Sequence, residues 1–154
     1  MKVNFAHLCD HAVVSLEGKL SIIGVFSQIN VANVPTVWLG AWLVFEIELD
    51  YTEVGHPIEV RVACVDADGA QILEAKATMQ TEGKAKIGDH PVVPQVLRLP
   101  PLRFNRAGAY DVNIFLDSAP SPKARVPFQV VLTATPPAPP IQGKPPLAEP
   151  PAGE

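Results

Sequence analysis

The residues best suited to chemistry lie near the start of the chain, where His7, Cys9 and His11 alternate with other side chains. Alternate residues of a β-strand point to the same face, so a strand here would place these three side chains on one surface. Imidazole and thiolate groups are zinc ligands, and a tetrahedral site needs four of them. A metal- or small-ligand-binding site on His7, Cys9 and His11 is therefore one hypothesis.

The same three residues also have a purely structural interpretation, which we favour. Cys9 would belong to the core, while His7 and His11 would lie towards the ends of the strand. Residues that share a strand face lie about 6.5–7 Å apart, which is too far for the hydrogen bond between a nucleophile and its base. We therefore predict no catalytic residue, no metal and no cofactor.

Several acidic residues also have both a functional and a structural interpretation. Asp66 and Asp68 resemble a calcium-binding loop, but a cation of that kind needs six or more oxygen ligands, and a polar hairpin turn is favoured. Glu46 and Glu48 share one face of a predicted strand and suit a solvated surface better than a carboxylate pair. The sequence contains no Gly-x-Ser-x-Gly elbow, phosphate-binding loop or dinucleotide fingerprint, so an enzyme, such as a hydrolase, is a weaker alternative.

The elements that must position these residues are short strands. Apolar and polar residues alternate along many segments, most clearly from Tyr110 to Leu116, as half-buried antiparallel strands require. The predicted strands cover residues 3–9, 12–16, 20–29, 42–48, 58–64, 71–80, 96–99, 110–116 and 126–132. Eight or nine strands without helices indicate an all-β, immunoglobulin-like antiparallel β-sandwich.

One residue favours the sandwich over a barrel. Tyr110 begins the second-to-last predicted strand, where immunoglobulin-like domains use a tyrosine hydroxyl to fix the corner before the strand. Position 112 is Val112 and not cysteine, so the disulfide that joins the sheets of antibody domains is absent. We predict that this domain covers residues 1–135.

The remaining residues, 136–154, hold 8 of the 17 prolines. Proline lacks a backbone donor and fixes φ, so this segment is predicted to be a disordered, Pro-rich tail. It serves either as a spacer or, through Pro136-Pro137-Ala138-Pro139, as a PxxP recognition motif.

Composition and charge restrict the partners. The net charge of −4 and the pI of about 5.5 argue against binding to nucleic acid through bulk charge. The longest apolar run, Val37 to Phe45, is about half of a membrane span, and the first residues lack the features of a signal peptide. With two cysteines and no disulfide framework, we expect a cytoplasmic protein that binds neither membrane nor nucleic acid.

Apolar residues on the outward side of three predicted strands indicate a contact surface. They are Trp42, Val44, Phe115 and Val131, and the three strands would lie in one sheet of an immunoglobulin-like fold. Aromatic residues at the centre of a sheet face are typical anchors of protein interfaces. We therefore predict a non-catalytic interaction or scaffold module that binds a protein partner or forms a homo-oligomer. Alternatively, residues 31–39, with Trp38, or the tail would cover this surface.

Several segments resemble a family of uncharacterised bacterial proteins. The resemblance rests on residues 2–12, which include Cys9-Asp10, on residues 18–26, which include Ile23-Gly24-Val25, and on the segments Gly108-Ala109-Tyr110 and 126–130. It covers roughly residues 2–133 and leaves out the proline-rich tail. The resemblance implies a small, immunoglobulin-like β-sandwich without an assigned activity.

Overall fold

The computed structural model describes residues 1–81, 83 and 85–133, and these residues form strands, turns and loops. The predicted tail, residues 136–154, lies outside the described residues. Eleven strands follow one another along the described part of the chain: β1 (Lys2–Val14), β2 (Leu20–Phe26), β3 (Gln28–Val31), β4 (Thr36–Trp38), β5 (Trp42–Glu48), β6 (Pro57–Asp66), β7 (Gln71–Gln80), β8 (Val92–Arg98), β9 (Leu102–Phe104), β10 (Gly108–Leu116) and β11 (Ala124–Leu132). The all-β prediction is confirmed.

The strands form two main sheets and a small one. The four-stranded sheet has the order β2-β1-β5-β8, and the five-stranded sheet has the order β3-β11-β10-β6-β7. β4 and β9 pair separately. Neighbouring strands are antiparallel except β3 and β11, which are parallel, so the prediction of a purely antiparallel arrangement is wrong at this pair.

One core lies between the two main sheets, because each contributes the apolar side of alternating strands. In β10, Tyr110, Val112 and Ile114 are all at most 2% exposed. In β5, Phe45 and Ile47 are at most 1% exposed and belong to the same cluster. Burying side chains from both sheets in a shared cluster holds the two layers together.

Several strand limits differ from the prediction. Residues 3–9 and 12–16 were predicted as two strands, but residues 2–14 form the single strand β1. Residues 20–29 divide at Ser27 into β2 and β3, which belong to different sheets. Alternation identifies the buried side of a strand, but it does not show where an extended chain passes from one sheet to another.

The loop that contains Trp38 has a structural role. Trp38 belongs to β4, pairs with Leu102 of β9 and packs, half-buried, against the main core. It therefore does not provide the cover over Trp42 that was considered as an alternative. None of the described residues forms a helix with the length and apolar character that a transmembrane segment requires.

Candidate interaction surface

Two sets of predicted site residues meet on the outer side of the four-stranded sheet. His7 lies opposite Val44, and Cys9 lies opposite Trp42, in the antiparallel pairing of β1 with β5. The His11 ring meets the Trp42 ring edge to face, with 5.1 Å between centroids. We define the Trp42 face as Phe5, His7, Cys9, His11, Trp42, Val44 and Val96.

The Trp42 face has an apolar packing of its own. Cys9 and Val44 are fully buried although they lie on the side of the sheet away from the main core. Half-buried Phe5, Trp42 and Val96 pack against them. This arrangement leaves aromatic and aliphatic side chains partly exposed above a small buried cluster, which is how protein-binding surfaces present their anchors.

The side chains predicted as alternative metal ligands do not converge. His7 stacks on Phe5 with ring centroids 5.9 Å apart, while His11 packs against Trp42. Burial and the nearby Asp10 carboxylate raise the pKa of the Cys9 thiol, although a backbone hydrogen bond from His11 opposes them. A neutral thiol is a poor ligand and nucleophile. Across residues 1–81, 83 and 85–133, no three His, Cys, Asp or Glu side chains are grouped to hold a metal.

The prediction that strands 42–48, 110–116 and 126–132 share one sheet is wrong. β5 belongs to the four-stranded sheet, and β10 and β11 belong to the five-stranded sheet. Phe115 lies near the end of β10 that pairs with the start of β11, whereas Val131 lies near the other end of β11. Trp42 and Val44 are therefore separated from Phe115 and Val131, and the four residues form no common patch.

Phe115 also has a partner within the chain. The guanidinium of Arg61 lies 3.6 Å from the centroid of its ring, from the opposing position on β6. A cation held over an aromatic face covers that face and is stabilised by it. Around this pair, the outer side of the five-stranded sheet is rich in polar and charged side chains, although Ala63, Val65, Pro127 and Val131 lie on the same side. The polar and charged residues are Glu59, Arg61, Glu74, Lys76, Thr78, Asp111, Asn113, Arg125 and Gln129. The outer faces of the two sheets thus differ in chemical character.

The Asp66–Asp68 loop is held by an arginine. Asp66 Oδ1 accepts the N–H groups of Asp68 and Ala70 at 3.0 and 2.9 Å, which closes the hairpin turn. Arg106 Nη2 lies 2.9 Å from Asp66 Oδ2 and 2.5 Å from Asp68 Oδ2. The guanidinium thus pairs with both carboxylates, and the loop acts as a turn.

Tyr110 is joined to the same arginine through the backbone. Its hydroxyl donates a hydrogen bond of 2.8 Å to the carbonyl oxygen of Arg106. The Tyr110 ring packs against Phe104 and Phe128 at centroid distances of 5.0 and 5.6 Å. The contact fixes the loop before β10, on the main-core side of the strand, and leaves the hydroxyl no role in binding.

The other acidic candidates are also used structurally or exposed. Asn4 Nδ2 donates to Glu46 Oε1 at 3.1 Å, so this carboxylate links β1 to β5. An open depression with a volume of about 530 Å³ contains Asp89 and His90 in its lining. Asp89 Oδ2 accepts the backbone N–H of Lys86 at 2.8 Å and so caps a turn. The lining residues that the structure describes include no serine, threonine, cysteine or lysine.

A contact between Asp10 and Gly24 joins two segments that carry the resemblance described above. The Asp10 carboxylate lies where a side chain at Gly24 would begin, since a Cβ built there falls 2.2 Å from Asp10 Oδ2. The φ of Gly24 is 67°, which also favours glycine. The Asp-Gly pair therefore fixes how β1 and β2 lie against each other.

The sequence analysis missed one apolar feature, the hairpin formed by β1 and β2. β5 pairs with β1 only up to Cys9, so the hairpin extends beyond the sheet. Val13, Leu16, Ile23 and Val25 are 51%, 109%, 62% and 57% exposed. The sequence does carry a signal of this apolar surface, because residues 20–45 contain no Asp, Glu, Lys or Arg.

Comparison with known proteins gives limited information on function. A search of the curated proteins found no match. Among solved structures, the chain is similar to the Pseudomonas fluorescens alkylpurine DNA glycosylase AlkC bound to DNA containing an abasic site analogue, with 13% identity and a TM-score of 0.37. The match covers 81% of this chain but 30% of the glycosylase chain. The model of a family of unknown function, DUF6941, matches residues 4–131, and the chain belongs to this family.

Proposed function

We propose that this chain is a non-catalytic interaction module that binds a protein partner through the Trp42 face. The observation that carries the proposal is the half-buried Trp42 ring, which lies among apolar side chains on the outer side of a sheet. Tryptophan is enriched among residues that dominate binding energy because it buries a large area and loses few rotamers.

The contrast between the two sheets supports this choice of surface. The outer side of the five-stranded sheet carries acidic and basic side chains, which hydrate well. On the Trp42 face, charged residues are absent from the defined set, and the rim is formed by Glu46 and Arg98. An apolar centre with a polar rim is the usual anatomy of a protein interface. The partner would therefore present an apolar surface of matching size.

We also propose an immunoglobulin-like topology. The order β3-β11-β10-β6-β7 corresponds to a sheet in which the second-to-last strand lies between the last strand and an earlier one. The hydrogen bond from Tyr110 to the carbonyl of Arg106 supports the same assignment, because this family of folds fixes the corner before that strand in this way. A cytoplasmic location is supported by two buried cysteines that remain unpaired.

The absence of catalysis is part of the proposal. The carboxylates of Asp66, Asp68 and Glu46, which were considered for chemistry, contact an arginine, backbone N–H groups or an asparagine. Burial and neighbouring carboxylates raise the pKa of the Cys64 thiol to about 12, so this thiol stays protonated. Neither cysteine supplies the low-pKa thiolate that nucleophilic catalysis needs.

The test compares Trp42→Ser with Phe115→Ser. The full chain and each variant are immobilised, and the amount of each captured protein is measured as a function of lysate concentration. Loss of a tryptophan anchor costs about 2 kcal/mol or more, so we expect Trp42→Ser to weaken capture of the partner about 30-fold. Phe115→Ser, on the other sheet and covered by Arg61, should capture the partner as the wild type does.

A conservative variant separates binding from folding. Trp42→Phe retains an aromatic ring and should retain most of the capture, while circular dichroism checks that every variant is folded. The proposal is wrong if folded Trp42→Ser captures the same proteins with the same affinity, or if Phe115→Ser loses capture to the same extent.

A further inference from the structure

The free edges of the two sheets are protected to different degrees. β7 carries Glu74 and Lys76, and β8 carries Pro94 and Arg98. Charges and prolines on an edge strand discourage pairing with other chains. β3 is four residues long, whereas β2 has seven residues with no charge and no proline. β2 is therefore the least protected of these four edges.

The hairpin geometry shows which backbone groups of β2 are free. Ser15 N donates to Lys19 O at 2.8 Å, so Ser15 and Lys19 form a hydrogen-bonded pair. Hydrogen-bonded and non-hydrogen-bonded pairs alternate along an antiparallel ladder. Leu20 and Ile22, opposite Val14 and Ala12, are therefore in non-hydrogen-bonded pairs. Their N–H and C=O groups point away from β1, towards the open edge.

We propose that a second copy of this chain pairs with β2 in antiparallel orientation about a twofold axis at Ser21. Leu20 of each copy would pair with Ile22 of the other, which gives four backbone hydrogen bonds between the copies. The left-handed φ of Gly24, 67°, interrupts the extended conformation of β2 after Ile23, and the pairing uses residues before it.

The chemistry of β2 indicates that the strand which pairs with its free edge is β2 of a second copy. A strand added here must itself be uncharged and apolar, because a charge beside this edge would lose hydration without finding a partner. β2 meets that requirement, and the twofold arrangement brings no like charges together, since Lys19 of one copy lies beside Ile23 of the other. The axis places Ser21 against Ser21, so the closest side chains are small and can hydrogen-bond.

The pairing differs from the proposed function because it uses the backbone edge of β2, although the Ile22 side chain also packs against the buried cluster beneath the Trp42 face. It joins two four-stranded sheets edge to edge into one sheet of eight strands. A twofold axis perpendicular to the sheet leaves both Trp42 faces on the same side, where a partner could contact both. Isologous pairing of this kind is the commonest way for a chain to form a closed dimer.

A cysteine at the axis gives a direct test. Ser21→Cys would place two thiols in a non-hydrogen-bonded pair with Cα atoms about 4.5 Å apart, within the range for a disulfide. Cys9 and Cys64 are buried and should not react. The matched control is Ser27→Cys, which is also exposed but would lie about 40 Å from its copy across the axis. We expect mild oxidation to convert most Ser21→Cys chains to a covalent dimer and to leave Ser27→Cys chains monomeric on a non-reducing gel.

A second measurement uses the solution mass. The wild type should form a dimer whose fraction rises with concentration, and Ile22→Pro, which removes an outward N–H, should weaken the dimer at least tenfold. Leu20→Lys provides an independent disruption if Ile22→Pro does not fold, and Ile87→Lys, at an 86% exposed position elsewhere, should dimerise as the wild type does.

The outcomes separate this inference from the proposed function. Trp42→Ser should keep the Ser21→Cys crosslink even if it abolishes partner capture. A wild-type chain that remains monomeric up to about 1 mM overturns the pairing, because no weaker edge contact would be specific. Equal crosslinking of Ser21→Cys and Ser27→Cys, or dimerisation that survives both Ile22→Pro and Leu20→Lys, overturns it as well.

Discussion

Replacing Gly24 by alanine should destabilise the fold for two separable reasons. The φ of Gly24 is 67°, and an L-residue in this left-handed region costs about 1–2 kcal/mol. The added Cβ would also lie 2.2 Å from Asp10 Oδ2 and 2.8 Å from Asp10 Cγ, so the aspartate must leave its rotamer, at a cost of about 0.5–1.5 kcal/mol. We expect Gly24→Ala to lower the free energy of unfolding by about 2–3 kcal/mol.

Two further variants separate the backbone contribution to this cost from the contribution of the Asp10 contact. Gly69 has a φ of 80° and no atom within 4 Å of an added Cβ, so Gly69→Ala should show the backbone cost alone, about 1–2 kcal/mol. Asp10→Ala removes the two closest atoms but keeps the Cβ of residue 10, 3.0 Å from the added Cβ, so in that background Gly24→Ala should cost less than in the wild type and somewhat more than Gly69→Ala. The double-mutant cycle should therefore give a coupling energy between Asp10 and Gly24 of about 1 kcal/mol.

The assay is equilibrium unfolding in urea, followed by tryptophan fluorescence and far-ultraviolet circular dichroism. Coincident transitions and unchanged slopes would show that the midpoints report stability. The reasoning is refuted if Gly24→Ala and Gly69→Ala cost the same and Asp10→Ala leaves the cost of Gly24→Ala unchanged. In that case Asp10 moves freely away and the contact has no energetic weight.

Two other predictions concern the corner near Arg106. Tyr110→Phe removes the 2.8 Å hydrogen bond to the Arg106 carbonyl and should lower the free energy of unfolding by about 1 kcal/mol in the same urea assay. The control Tyr51→Phe, at a 38% exposed position, should change the free energy of unfolding little. Equal effects of the two variants would contradict this role of the Tyr110 hydroxyl. Burial acts to raise the pKa of Asp66, but hydrogen bonds from backbone N–H groups and the nearby Arg106 hold this pKa below its usual 3.8. The ionised Asp66 therefore stabilises the folded state above pH 3.8, and this stabilisation is lost as the pH falls through the folded pKa. Thermal midpoints measured from neutral pH down to about pH 3 should therefore fall less steeply for Asp66→Asn than for the wild type, and parallel curves would exclude this contribution.

Alternation predicted the fold class because the side chains that face the main core recur at every second position of β10 and β11. Along β10, Val112 and Ile114 are fully buried, and along β11, Phe128 and Val130 are at most 2% exposed. Each of these strands has one side in the core and another facing outward, which is the condition under which period-2 patterns carry information. The same reasoning predicted that His7 and Cys9 would share a surface, and the pairing of β1 with β5 places both on the Trp42 face.

The pattern could not assign strands to sheets, and this is why the prediction that Trp42, Val44, Phe115 and Val131 lie on one sheet was wrong. Trp42 and Phe115 both lie on outward sides, but of different sheets, and sheet membership depends on contacts distant in sequence. Arg61 also covers Phe115, which no local pattern indicates. The division of residues 20–29 at Ser27 escaped prediction because both halves are extended and uncharged, and no proline lies between them.

The parallel pair of β3 and β11 has a consequence for synthesis and folding. Gln28–Val31 pairs with residues 129–132, so β3 is synthesised early but can pair only after β11, one of the last strands described here, has been synthesised. While the chain leaves the ribosome, the five-stranded sheet lacks its partner for β3, and an uncharged segment stays accessible to other polypeptides. Closing so long a loop is slow, so we expect β3 to join the five-stranded sheet late in folding.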